Sequence, residues 1–139
     1  MNKFALLAKH GVKAQRGMAM VEFALILPLV VLLTFGAVTF TVALYNKAIM
    51  TYASRQAVRA WVVTKPMLTK DSVQQIASGY CQYQLISFGG TSATCVPVAS
   101  GPDVPISGDV LTVSVSLNFT GLYVFNQLQI KAQTSMKFE

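Results

Sequence analysis

Residues 23–45, FALILPLVVLLTFGAVTFTVALY, carry no formally charged side chain. Coiled as an α-helix, at roughly 1.5 Å per residue, such a run reaches about 35 Å and crosses a hydrocarbon core about 30 Å thick. A membrane-spanning helix is therefore expected, and the rest of the chain has to be arranged around it. About 90 residues follow it, enough for one small domain and too few for two.

The composition, 53% hydrophobic and 12% charged, excludes a disordered chain, and the apolar excess is concentrated in the span. The formal charge of +6 invites a nucleic-acid reading, but four of the eleven basic residues (Lys3, Lys9, Lys13 and Arg16) precede Gly17, where no acidic residue occurs. A cut after Gly17 would leave seven basic side chains against five acidic ones, a net of +2. No basic patch interleaved with aromatics follows, so nucleic acid is not an expected partner.

Two cysteines, Cys81 and Cys95, lie beyond the span and suit one disulfide in an oxidising compartment. With one histidine, His10, on the other side of the span, the ligands for a closed zinc site are too few; neither a metal nor a cofactor is expected. The basic residues do not orient the helix, because Lys47, Arg55, Arg59 and Lys65 balance the four that precede it. A cytoplasmic N-terminus follows instead from the leader and the cysteines.

The leader, residues 1–17 (MNKFALLAKHGVKAQRG), is short and basic and lacks the apolar core of an ordinary secretory signal. At its end, Gly17 is followed by Met18, Ala19, Met20, Val21, Glu22 and Phe23. This edge resembles the type IV prepilin cleavage motif, with glycine before the cut and glutamate fifth after it. The longer string RGMAMVEFALILPLVVLLTFGAVTF is similar to the TadE-like family of minor pilins (pseudopilins) of the tight-adherence, or Flp, pilus system, and VEFALILPL with Pro28 is its most specific part. The resemblance covers about residues 16–59 and leaves the remainder without a motif. Major Flp pilins resemble a Glu-Tyr pair where this chain has Glu22-Phe23, which points to a minor subunit.

The resemblance implies an α+β, pilin-like fold and a precursor cut by a prepilin peptidase between Gly17 and Met18. Glu22 and Phe23 would set registry with other pilin and minor pilin subunits. The implied partners are that peptidase, those subunits, the lipid bilayer and the pilus assembly platform in the bacterial inner membrane. The protein would be single-pass, with a cytoplasmic N-terminus, a periplasmic head and later passage into the extracellular pilus. The alternative is an uncleaved single-pass membrane scaffold of a secretion or pilus assembly machine.

Physical chemistry bears on two residues of the segment independently. A carboxylate at the centre of a membrane helix costs about 2.5 to 3.5 kcal/mol, and less near the interface, so Glu22 wants a partner or water. A new terminal ammonium on Met18 would lie about 6 Å from Glu22 along the helix axis, where the carboxylate can answer it and the helix dipole. Snorkelling to the headgroups is the plainer alternative. Pro28 removes a backbone donor and frees the carbonyl of Ala24. That makes either an ordinary kink or a point that bends as the subunit leaves the bilayer.

Beyond the span the helix is expected to continue to Val63, since residues 46–63 contain no proline or glycine. Tyr45, Ile49, Tyr52, Ala53, Gln56, Ala57 and Ala60 form one stripe; Lys47, Thr51, Arg55 and Arg59 form another, solvated or facing anionic lipid. Lys65-Pro66 ends the helix, and Trp61 reads as a core or interfacial anchor. A short helix fits residues 71–78, capped by Thr69 or Asp71, with Val73, Ile76 and Ala77 inward and Gly79 as its stop.

Residues 83–88 and 93–98 read as a hairpin turning at Gly89-Gly90, which would bring Cys81 and Cys95 together in a structural disulfide. Residues 100–109 read as a loop. Strands are expected over residues 110–119, where Leu111, Val113, Val115, Leu117 and Phe119 face inward, and over residues 130–139, where Ile130, Ala132, Met136 and Phe138 do. These two, joined through residues 121–129, should pair antiparallel at the centre of the sheet. Tyr123, Val124 and Phe125 in that connection either fold back on the sheet or meet another subunit.

The expected organisation is thus a leader (1–17), a transmembrane helix (18–45) and an extracytoplasmic α+β head (46–139) that includes the helix extension 46–63. Catalysis is not expected: beyond the span the acids are Asp71, Asp103, Asp109 and Glu139, with no histidine to complete an acid–base set.

Overall fold

The computed structural model describes the backbone of residues 4–64, 67–88, 93–121 and 128–139, and the side chains of these from Gly17 onward. Its elements are α1 (Phe4–Val63), α2 (Lys70–Cys81), β1 (Val96–Ser100), β2 (Val110–Phe119) and β3 (Leu128–Lys137). They fall into two compact units, Met1–Ala37 and Val38–Glu139. The first is α-helical throughout its described residues, and from Met18 to Leu33 its large apolar side chains are exposed. Pro28 lies inside α1 without ending it.

In the second unit a three-stranded antiparallel sheet of order β1-β2-β3 packs with α2 and the C-terminal part of α1 around one core. The period of two expected over residues 110–119 is what β2 shows: Leu111, Val113, Val115, Leu117 and Phe119 are buried and the residues between them are not. β3 pairs with it from Phe119↔Leu128 to Val110↔Lys137, with Ile130 and Ala132 buried and Met136 and Phe138 against the core. β1 flanks the other side of β2, so β2 alone is central and β3 is an edge strand. The expectation that both strands would be central is corrected accordingly.

Three further expectations need correction. Residues 83–88 are not a strand: residues 82–84 turn, with the Gln84 N–H donating to the Cys81 carbonyl at 3.2 Å. The polar backbone of Ile86 bonds a side chain of α1 instead of a neighbouring strand. Residues 93–98 therefore have no hairpin partner in that segment, and β1 pairs with β2. The Gly89-Gly90 turn, Lys65-Pro66 and the Tyr123, Val124, Phe125 stretch lie outside the described residues.

Next, α2 does not stop at Gly79 but runs to Cys81, its Gln82 cap donating to the Ser78 carbonyl at 2.8 Å. A glycine inside a helix costs roughly 1 kcal/mol relative to alanine. Burial of Val73, Ala77 and Cys81 at successive i, i+4 positions, and the disulfide at Cys81, oppose that cost. At the other end Thr69 is the cap, its hydroxyl accepting from the Ser72 N–H at 3.3 Å.

Finally, the buried stripe of α1 is rotated from the expected one. Asn46, Met50, Ala53, Ser54, Ala57, Val58 and Trp61 are buried, while Tyr45 and Tyr52 are exposed. Small residues at 53, 54 and 57 allow the sheet to come close, and tyrosines keep their hydroxyls wet at a rim. Tyr52 stacks edge-on with Tyr80 of α2, ring centroids 5.7 Å apart. Lys47, Arg55 and Arg59 remain on the exposed side.

Candidate functional site

The residues singled out by the sequence fall into two groups. Gly17, Met18, Glu22, Phe23 and Pro28 follow one another along α1; Cys81 and Cys95 belong to the head. Met18 and Glu22, at i and i+4, share a face of α1, and both they and Phe23 are exposed. An apolar face exposed among the described residues, interrupted by one carboxylate, is suited to lipid or to other helices.

Gly17 is the informative member. A Cβ added there would meet no described atom within 4 Å, so packing against the described residues does not require glycine. Its intrinsic cost in a helix, roughly 1 kcal/mol, is not repaid by a close approach as it is at Gly101. At Gly101 an added Cβ would come 2.7 Å from the Leu111 Cδ2 and 3.5 Å from the Trp61 Cη2.

Among the described residues, the longest-range ties of the head include a disulfide and two polar side-chain contacts of α1. The Cys81–Cys95 disulfide joins the last residue of α2 to the residue before β1, with a Cα–Cα separation of 6.5 Å. The Asn46 amide donates to the Ile86 carbonyl at 2.7 Å and accepts from the Ile86 N–H at 3.0 Å. The Ser54 and Thr134 hydroxyls lie 2.7 Å apart, tying α1 to β3. Asp109 serves its turn, accepting from the Ile106 N–H at 2.9 Å, and Asp103 pairs with Lys70 at 2.6 Å. Hydropathy missed Asn46 and Ser54; their heptad-like phase with Met50, Ala53 and Ala57 was the signal that could have found them.

Against this geometry, residues 17–59 match the family model for TadE-like proteins. The segment is TadE-like. The match opens at Gly17 and runs along α1 into its buried face. No curated protein and no solved structure matches the chain. The TadE-like segment holds the one described helix long and apolar enough to cross a membrane, which is compatible with a single-pass membrane protein. The sheet, α2 and the disulfide lie outside the segment.

Proposed function

We propose that this protein is a minor pilin, or pseudopilin, of a tight-adherence pilus. A prepilin peptidase cuts it after Gly17, and it stays in the inner membrane until it joins or primes the filament. In this account its role is structural rather than catalytic. The N-terminus starts in the cytoplasm and the head lies in the periplasm. The single observation that carries the proposal is the TadE-like match, which begins at a glycine that packing against the described residues does not require. Gly36 and Gly79 are equally open, so it is the match, and not the open space alone, that singles out Gly17 as the residue a peptidase cleft reads.

After the cut, Glu22 neutralises the ammonium of Met18, its own or a neighbour's, and fixes the register of packed helices. Pro28 supplies a place where the helix can bend on leaving the bilayer. The other pilins and the assembly platform are the partners this sequence of events needs.

One observation favours the alternative, an uncleaved membrane scaffold. α1 runs without interruption across the Gly17–Met18 bond, so a peptidase would have to unwind a turn to reach it. The test is processing of Gly17→Leu, which the open surroundings of Gly17 tolerate. Accumulation of full-length chain supports the proposal, and wild-type processing of the variant contradicts it.

A further inference from the structure

Near the start of the second unit, residues 40–47 of α1 and residues 128–131 of β3 enclose an open groove of about 390 Å³. Its apolar lining includes Phe40, Leu44 and Leu128, which remain 60%, 52% and 45% exposed. Ala43 lies on the α1 side, Gln129 and Ile130 on the β3 side, and Lys47 and Lys131 are the cationic members of the lining. Neither ammonium has an ion-pair partner among the described residues, and none of the acidic residues lines the groove.

Where this groove falls along the chain gives it a specific occupant. Lys47 is the first charged residue after Glu22. A hydrocarbon core about 30 Å thick takes up about 20 helical residues, so a span entering near Phe23 leaves the core near Val42. Residues 40–47 then sit at the depth of the glycerol and phosphate groups. Lysines at that depth extend their ammonium groups to lipid phosphates while their methylenes stay in apolar surroundings. β3 brings Lys131 and Leu128 to the same place from far along the sequence.

We propose that this groove binds an anionic phospholipid, its phosphate between Lys47 and Lys131 and its upper acyl carbons against Phe40, Leu44 and Leu128. The bound lipid fastens the base of the head to the membrane surface. The depth assignment rests on the span proposed above; the groove's composition does not.

The test is native mass spectrometry of the full chain in a non-ionic detergent, titrated with dioleoyl phosphatidylglycerol or dioleoyl phosphatidylcholine. The wild-type chain is expected to retain phosphatidylglycerol at least tenfold better, because each lysine near a lipid surface contributes about a fivefold preference. The double variant Lys47→Gln, Lys131→Gln should lose that preference. Arg55→Gln, Arg59→Gln, which removes equal charge from the exposed side of α1, should keep it. Equal retention of both lipids by the wild-type chain, equal loss in both double variants, or a lipid-free dimer whose groove is covered by the second copy overturns the proposal. Alkaline carbonate extraction separates the two claims: a chain released from membranes contradicts the span, whereas a chain that stays but shows no lipid preference contradicts the groove alone.

Discussion

The Asn46 side-chain amide donates to the carbonyl of Ile86 and accepts from its N–H, at 2.7 and 3.0 Å, across forty residues of sequence. A fully buried amide thus does for one loop residue what a neighbouring strand would have done. The bond pair anchors the loop between α2 and β1 to the helix that carries the head.

Replacing Asn46 by leucine should therefore be costly although it adds apolar volume. It leaves two backbone groups of Ile86 without partners, at about 1 to 3 kcal/mol for each that stays dry. Thermal unfolding of the detergent-solubilised chain, followed by fluorescence of Trp61, the only tryptophan, should show a clear loss for Asn46→Leu and a negligible one for exposed Arg55→Leu. Equal midpoints for the two variants would contradict the role given to Asn46.

The disulfide makes a second, separable contribution. Its half-cystines are 14 positions apart, and closing a segment of that size is worth about 3 kcal/mol in the chain-entropy account. Cys81→Ser, Cys95→Ser together should lower unfolding stability by about that amount, and reduction of the wild-type chain should reproduce the shift. Unaltered stability on reduction would mean that the loop is held by Asn46 and the core alone.

Ser54 and Thr134 form a coupled pair between α1 and β3. Ser54→Ala and Thr134→Val should each cost about 1 kcal/mol, and the double variant little more than either single, since both remove the same Ser54–Thr134 bond, while in Thr134→Val the Ser54 hydroxyl still donates to the Thr51 carbonyl. Additive losses would show that the two hydroxyls do not act on each other.

Gly101 is expected to reject even alanine. The added Cβ would meet the end of Leu111, which is fully buried beside Trp61 and has little room to turn, so Gly101→Ala should cost about 1 to 3 kcal/mol. Leu111→Val removes the opposing methyl and should recover part of that loss in the double variant. An increase in the loss would place the strain elsewhere.

Much of the head could be read in advance because its signals are local. β2 alternates one buried and one wet face, and a period of two needs no knowledge of its partners. The extension of α1 to Val63 followed from the lack of breakers. What stayed hidden depends on distant partners: Asn46 and Ser54 are polar residues whose burial is compensated by groups 40 and 80 positions away. The Cys81–Cys95 pairing was expected, but through a hairpin. It arises instead because α2 runs through Gly79 and packs against β1. The edge at Gly17 could be read as a motif and not as a shape, since along α1 it is one exposed helical turn among several.

The mature N-terminus tests the central claim most directly. Intact mass and N-terminal sequencing of the chain, taken from membranes and from sheared pili, should both give a protein that begins at Met18. A chain that begins at Met1, is confined to membranes and is absent from the pili would contradict processing at Gly17 and leave the uncleaved scaffold in its place.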